Sequence, residues 1–295
     1  MHTIVVFSDI DGTLIDIFTR TYGKSKELVK KLKESSIPVI LCSSKTWAEQ
    51  DVIRKDLGLE SEPFIIENGG AVIIPYGYFS GGGGGGGGDI TDDDLKHHYG
   101  MRVVDGYSVI ELGRSSAEIR KVLQYVRRKT GTPFKGVSDL SIRELAKIVG
   151  MTPEEAERMS KRQYGETILE IDRTEKVKLE QALSKEGLQV IHGGRYFDVT
   201  AGNDKGKAVR ILIDLYRKKL GDGTIFIGIG DSANDVPMLK LTDIAILVQK
   251  HDGSWTEVDN SNNIAHVVKA EGIGPAGWEN AFATIIKEAE QTDGA

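Results

Sequence analysis

Val5-Val6-Phe7-Ser8-Asp9-Ile10-Asp11-Gly12-Thr13-Leu14 joins a short apolar run to two aspartates and a glycine. The run from Ile4 to Phe7 is brief, rich in β-branched residues and bounded by a glycine turn, which reads as a buried strand. Asp9 and Asp11 follow at i and i+2, positions whose side chains share a face on an extended backbone. Paired carboxylates at a strand's C-terminal end can hold a divalent cation, and one of them can attack an electrophile. Taken alone, the same residues also make an ordinary acidic turn.

The pattern repeats outward from this stretch. Ser25 to Glu34 places Leu28, Val29 and Leu32 at helical spacing among lysines. Pro38 to Cys42 reads as a second buried strand ending at Ser43-Ser44-Lys45-Thr46, and a helix runs through Asp51 to Leu57 before Gly58. Pro63 to Ile66 is a third strand ending at Glu67-Asn68-Gly69-Gly70, with a hairpin-like Ala71-Val72-Ile73-Ile74 after it. Near the other end, Asp204 to Leu220 is a long helix carrying Lys205 at its start. Thr224 to Ile229 is a strand ending in Gly230-Asp231-Ser232-Ala233-Asn234-Asp235. Ile244 to Val248 and Ala265 to Val268 are further strands, and a helix from Trp278 to Glu290 closes the pattern. Strand and helix alternating with short connections predict an α/β fold, a doubly wound parallel sheet whose ligands sit at the strands' carboxyl ends. This core takes residues 1–77 and 201–295.

Between them, residues 78–200 read as an inserted α+β domain. It holds a strand at Tyr107 to Leu112, a helix from Ser115 to Thr130 and two helices at Leu140 to Val149 and Pro153 to Arg162. A strand at Thr167 to Ile171, a helix to Glu186 and two strands around Gly193-Gly194 complete it. The unbroken octamer Gly81 to Gly88 is expected to be a mobile linker; it lacks the following Lys-Ser/Thr of a phosphate-cradling loop. His97-His98 is read as part of a solvated loop.

Composition limits the partners. The 295 residues are 28% charged and 39% hydrophobic, as in a soluble globular chain, with a formal net charge of −6. That charge argues against nucleic acid or a membrane surface as partner. No secretory signal or transmembrane helix is visible, and the single cysteine, Cys42, rules out an intrachain disulfide and fits a reducing, cytoplasmic setting. An oligomeric state is not legible.

Four clusters therefore stand at the ends of core elements: Asp9/Asp11/Thr13, Ser43, Lys205 and Asp231/Asn234/Asp235. Each has a plainer explanation alone: Ser43 as a helix N-cap, Lys205 as a solvated charge, Asp231 to Asp235 as a capping turn. Their joint order resembles the haloacid-dehalogenase-like phosphohydrolases, across the whole core. That resemblance implies Asp9 as a nucleophile forming an aspartyl-phosphate, and Asp11 as general acid and then base. It implies Mg²⁺ as cofactor, held by Asp9, the Asp11 backbone carbonyl and Asp231, with Asp235 supporting the metal shell or orienting Lys205. Ser43, Lys205 and Asn234 would hold the phosphoryl group. An insertion between the Ser43 and Lys205 motifs implies the cap of the Cof-like branch. Within that branch, Ser43 to Gln50, Glu67-Asn68-Gly69, Arg162 to Ile168, Gly194 to Phe197 and Gly202 to Ala208 resemble the mannosyl-3-phosphoglycerate phosphatases. Arg162 and Arg195 are then candidates for the glycerate carboxylate or sugar hydroxyls, since guanidinium binds carboxylates bidentately. Lys45 is the third candidate for anion contact, Glu67 and Asn68 are candidates for sugar hydroxyls, and Gly202 and Gly77 are candidate hinges. The expected substrate is a small phosphosugar. The alternatives are a glucosyl-3-phosphoglycerate or sucrose-phosphate phosphatase, a phosphomannomutase, or a non-catalytic phosphosugar-binding regulator, against which the retained Asp9–Asp11 pair speaks.

Overall fold

The structure, a computed structural model, describes residues 3–80, 90–192, 196–258, 264 and 266–293. The glycine octamer, Gly193, Gly194 and Arg195 lie outside the described residues. The chain begins β1 (Ile4–Ser8), α1 (Ser25–Glu34), β2 (Val39–Cys42), α2 (Trp47–Leu57), β3 (Phe64–Ile66), β4 (Ala71–Pro75), α3 (Asp92–Tyr99), β5 (Arg102–Val104) and β6 (Tyr107–Glu111). It continues α4 (Ser116–Thr130), β7 (Phe134–Gly136), α5 (Ile142–Val149), α6 (Pro153–Ser160), β8 (Gly165–Ile171), α7 (Arg173–Lys185), β9 (Gln189–His192) and β10 (Phe197–Thr200). It ends α8 (Lys205–Leu220), β11 (Ile225–Gly230), α9 (Val236–Leu239), β12 (Ile244–Gln249), β13 (Val267–Ile273) and α10 (Pro275–Asp293).

Nine strands form one sheet in the order β13-β12-β11-β1-β2-β3-β4-β6-β5. The six from β13 to β3 are parallel; β4, β6 and β5 extend the edge antiparallel. β1 sits near the middle and is buried on both faces, as its uninterrupted apolar run requires. Its side chains alternate between two cores. Ile4 and Val6 pack with Leu28, Val29 and Leu32 of α1 and Trp278, Ala281 and Ile285 of α10. Val5 and Phe7 pack with Val209, Leu212 and Tyr216 of α8. Trp278 is fully buried, and its indole N–H donates to Ser8 Oγ at 3.0 Å, so the large side chain is buried without an orphaned donor.

Two expectations need correction. The strand at residues 107–111 belongs to the nine-stranded sheet, paired with β4 and β5, and not to the inserted module. The chain therefore leaves this sheet after β6, well beyond residue 78. His97 and His98 lie on α3, exposed but helical, because Thr91 and Asp94 form a capping box and Leu95 is buried in the second core.

The module from α4 to β10 is built on a four-stranded antiparallel sheet, β7-β8-β10-β9. Ile119, Leu123 and Val126 of α4 and Leu179 and Leu183 of α7 cover Phe134, Ile168, Phe197 and Val199. Residues of the α5–α6 hairpin, Leu145, Val149, Ala156 and Met159, pack into a separate small core with Leu169 and Tyr196. The two crossings to the large sheet run side by side, with Arg114 N donating to Ala201 O at 3.1 Å. Gly202, at φ +86°, lies in the return crossing; Gly77 lies in the turn after β4, away from both crossings. Among the described residues, no helix is long and apolar enough to cross a membrane.

Candidate active site

Three adjacent parallel strands bring the sequence motifs together. β11, β1 and β2 end side by side, so that Asp231, Asp9 and Ser43 emerge at one edge of the sheet. Asp9 N still donates to Ile229 O at 2.9 Å, which extends the β1–β11 register to the aspartate itself. Gly12 then turns the chain with φ +80°, and a Cβ there would stand 2.9 Å from Asp231 Oδ2, so the turn needs glycine twice over.

Lys205, at the start of α8, points its ammonium into this edge. Its Nζ donates to Asp9 Oδ1 and to Asp235 Oδ1, both at 2.7 Å, and the side chain is 1% exposed. Asp204 caps the helix by accepting from Gly206 N and Lys207 N, which fixes Lys205 as its first residue. Asp235 is fully committed: Oδ1 takes Lys205, and Oδ2 accepts from Asp231 N, Ser232 N and Ser232 Oγ. It serves both as the cap of its own turn and as the support of Lys205.

The charges do not balance within the protein. Asp9, Asp231 and Asp235 have ligand oxygens within 4.8 Å of one another, and among the described residues Lys205 is the one cation bonded to them. Burial lifts the Asp9 carboxyl well above the usual carboxylate range; Lys205 pulls it back while Asp235 and Asp231 push it further. Burial and the Asp235 charge push Asp231 up to about 7, against its bond from Thr13 Oγ1 and the pull of Lys205. Burial alone would lower Lys205, but Asp235 and Asp9 outweigh it and hold its ammonium charged. Ionised together, the three carboxylates would exceed the one ammonium by two charges, in a donor set made of oxygen. That set fits a hard divalent cation such as Mg²⁺ and not a site built on His or Cys for zinc. With Asp235 occupied, Asp9 and Asp231 are the side chains left to ligate. The Asp11 carboxylate lies outside this group, paired with Lys45 at 2.8 Å.

Ser43 is buried, and its Oγ accepts from Lys45 N at 3.3 Å, which leaves its hydroxyl proton to be donated. It is not the cap of α2. Thr46 has that role, in a capping box with Glu49. Asn234 sits beside the cluster but spends its amide elsewhere, donating from Nδ2 to Asn68 Oδ1 at 3.1 Å.

The candidates expected at the sugar are gathered at the seam between the two sheets, largely bonded to each other. Glu67 accepts from Gln163 N at 2.7 Å and Tyr164 N at 2.8 Å. Asn68 donates from Nδ2 to Asp198 Oδ2 at 2.9 Å. Arg162 lies 3.5 Å from Asp198 and 3.9 Å from Glu67, and donates to Ser44 O at 3.2 Å. Thr167 Oγ1 also bonds Asp198. Burial raises Glu67, with Arg162 and the two N–H donors working against it. Asp198 is the residue that the motif reading misses. The one signal for it in the sequence is an aspartate inside the apolar strand Phe197–Thr200.

Residues 6–78 and 138–271 match the family described as haloacid dehalogenase-like hydrolase. The chain belongs to the haloacid dehalogenase-like hydrolases. A protein of Methanococcoides burtonii named glucosyl-3-phosphoglycerate/mannosyl-3-phosphoglycerate phosphatase is 40% identical over 283 residues, 96% of this chain and 97% of its own. One of Persephonella marina with the same name is 32% identical, covering 98% of this chain and 99% of its own. A haloacid dehalogenase-like hydrolase from Bacteroides thetaiotaomicron shares the fold at a TM-score of 0.61 with 14% identity, covering 97% of this chain and 100% of its own.

Proposed function

We propose that this protein is a Mg²⁺-dependent phosphatase that releases phosphate from mannosyl-3-phosphoglycerate, and from its glucosyl counterpart, through an aspartyl-phosphate on Asp9. The observation that carries this reading is the buried Asp9–Lys205–Asp235 arrangement with Asp231 beside it, in a chain similar over almost its full length to phosphatases of that name. The division of labour is between a catalytic core and the α4–β10 module, proposed as the cap that selects the glycoside. The setting is cytoplasmic, which the single cysteine fits.

The chemistry divides into two steps. Asp9 Oδ2, which carries no hydrogen bond among the described residues, attacks phosphorus as the P–O bond to the glycerate breaks, and Asp11 gives its proton to the departing oxygen. Water then attacks the phosphorus, Asp11 takes the water proton, and the acyl-phosphate bond breaks to return Asp9 and inorganic phosphate. Lys205 has a third N–H, and Ser43 its hydroxyl proton, for the phosphoryl oxygens whose charge must be neutralised before a carboxylate can approach. Mg²⁺, held by Asp9, Asp231 and the Asp11 carbonyl, would supply the remaining positive charge when bound. Asp235 acts through Lys205, and Asn234 through the loop it ties to Asn68. Arg162, Glu67 and Asn68 shape the seam in which the sugar and glycerate would lie, and Arg195 is proposed for the same anion.

A substrate panel tests this directly. With Mg²⁺, phosphate release from mannosyl- or glucosyl-3-phosphoglycerate should exceed that from sucrose phosphate and mannose phosphates by at least ~10²-fold in kcat/KM, and chelation should abolish it. Preference for a plain hexose phosphate would sink the glycerate assignment.

A further inference from the structure

The sequence pattern casts Lys45 as an anion contact, but its ammonium lies 2.8 Å from Asp11 Oδ2 and 3.9 Å from Glu49 Oε1. The Asp11 side chain is 36% exposed, whereas those of Lys45 and Glu49 are 16% and 12% exposed. A short carboxylate with that much water around it has several rotamers open, and among the described residues Lys45 is the one side chain bonded to it. Lys45 and Glu49 are themselves held. Lys45 N donates to Ser43 Oγ at 3.3 Å, and Glu49 Oε2 accepts from Thr46 N at 2.9 Å in the cap of α2. The start of α2 is thus linked through Glu49 and Lys45 to a carboxylate at the neighbouring strand end.

We infer that Lys45 is a positioning residue for Asp11, with Glu49 as its anchor: the pair holds the acid–base carboxylate beside the phosphoryl site. This rests on the proposed reading in which Asp11 acts first as acid and then as base. Without Lys45, the carboxylate gains rotamers pointing into solvent, and both proton transfers lose their geometry. A substrate contact alone would show in KM.

The two roles separate with p-nitrophenyl phosphate, whose leaving group departs without a proton. Phosphorylation of Asp9 then no longer depends on Asp11, while hydrolysis of the aspartyl-phosphate still does. In rapid mixing of the full-length protein with Mg²⁺, Lys45→Met should release about one equivalent of nitrophenolate in a burst, then turn over ~10²-fold more slowly than wild type. kcat/KM should stay within ~3-fold, because KM falls together with kcat when hydrolysis of the aspartyl-phosphate limits turnover. Lys45→Arg should restore most of the steady rate. Glu49→Gln, which keeps an acceptor for the helix cap, should show the same burst with a smaller loss. A Lys45→Met enzyme with raised KM, unchanged kcat and no burst would overturn the inference and make Lys45 a substrate contact. Uniform slowing without a burst would overturn it too. Asp9→Asn, run alongside, reports separately: turnover by that variant would remove the covalent reading itself.

Discussion

Lys205 meets Asp9 and Asp235 at 2.7 Å with almost no solvent contact, so its charge is bound into the fold as much as into the site. Removing one partner from a buried ionic cluster strands the others, at a cost of about 3–5 kcal/mol. Lys205→Met should lower the unfolding free energy in urea by an amount of that order, and added Mg²⁺ should recover part of it by supplying the missing charge. An unchanged midpoint would contradict this role of Lys205 in the fold. In the sequence, Lys205 is one lysine among many and is legible only from its place after a long insertion. Asp198 shows in the sequence only as an aspartate inside an apolar strand, with nothing to mark what it bonds. Its partners Asn68, Thr167 and Arg162 lie far away along the chain, 130 residues in the case of Asn68, and no local pattern records them.

The element on which the two sheets converge is the turn after β3. Glu67, Asn68 and Gly69 run consecutively at φ +48°, +57° and +86°, a conformation that non-glycine residues adopt at a cost of about 1–3 kcal/mol each. The bonds around them compensate: Glu67 to the backbone of Gln163 and Tyr164, Asn68 to Asp198 and Asn234. Gly69 has no substitute, since a Cβ there would lie 2.2 Å from Asp204 O, directly against the helix start that carries Lys205. Gly69→Ala should therefore destabilise the protein by at least ~2 kcal/mol and lower kcat through Lys205, measured by thermal unfolding and single-turnover rates. A variant with unchanged melting would contradict this close approach. The strand and its acidic, amide-bearing end are plain in the sequence, but their use is not. Glu67 and Asn68 look like sugar ligands because polar groups at a strand end usually face the ligand; here they are spent on the seam. The edge strand β6 is misread for a related reason. It follows a glycine run, which resembles the start of an insertion, and the β4 pairing that claims it is a long-range choice.

At the scale of the molecule, the module from α4 to β10 is seated on the core at several independent points. Arg20 donates to Gly150 O at the end of α5 and pairs with Glu155 at 3.3 Å. Thr46 Oγ1 donates to Arg158 O at 2.9 Å near the end of α6, and Asn203 Nδ2 bonds both Glu67 O and Tyr164 O. These contacts put the module against the loops that follow β1, β2 and β3, on the edge of the large sheet that bears Asp9 and Ser43. The α/β alternation and the strand-end motifs were sufficient to place the large sheet and its acidic edge. The seating was not legible, because it is made of backbone carbonyls at helix ends. The account as a whole depends on Asp9 being the atom donor in the first bond formed. The most direct test is phosphate release from mannosyl-3-phosphoglycerate by wild type and Asp9→Asn at saturating Mg²⁺, with folding checked by circular dichroism. The account predicts a folded variant at least ~10⁴-fold slower than wild type; a folded Asp9→Asn protein that turns over within tenfold of wild type would contradict it.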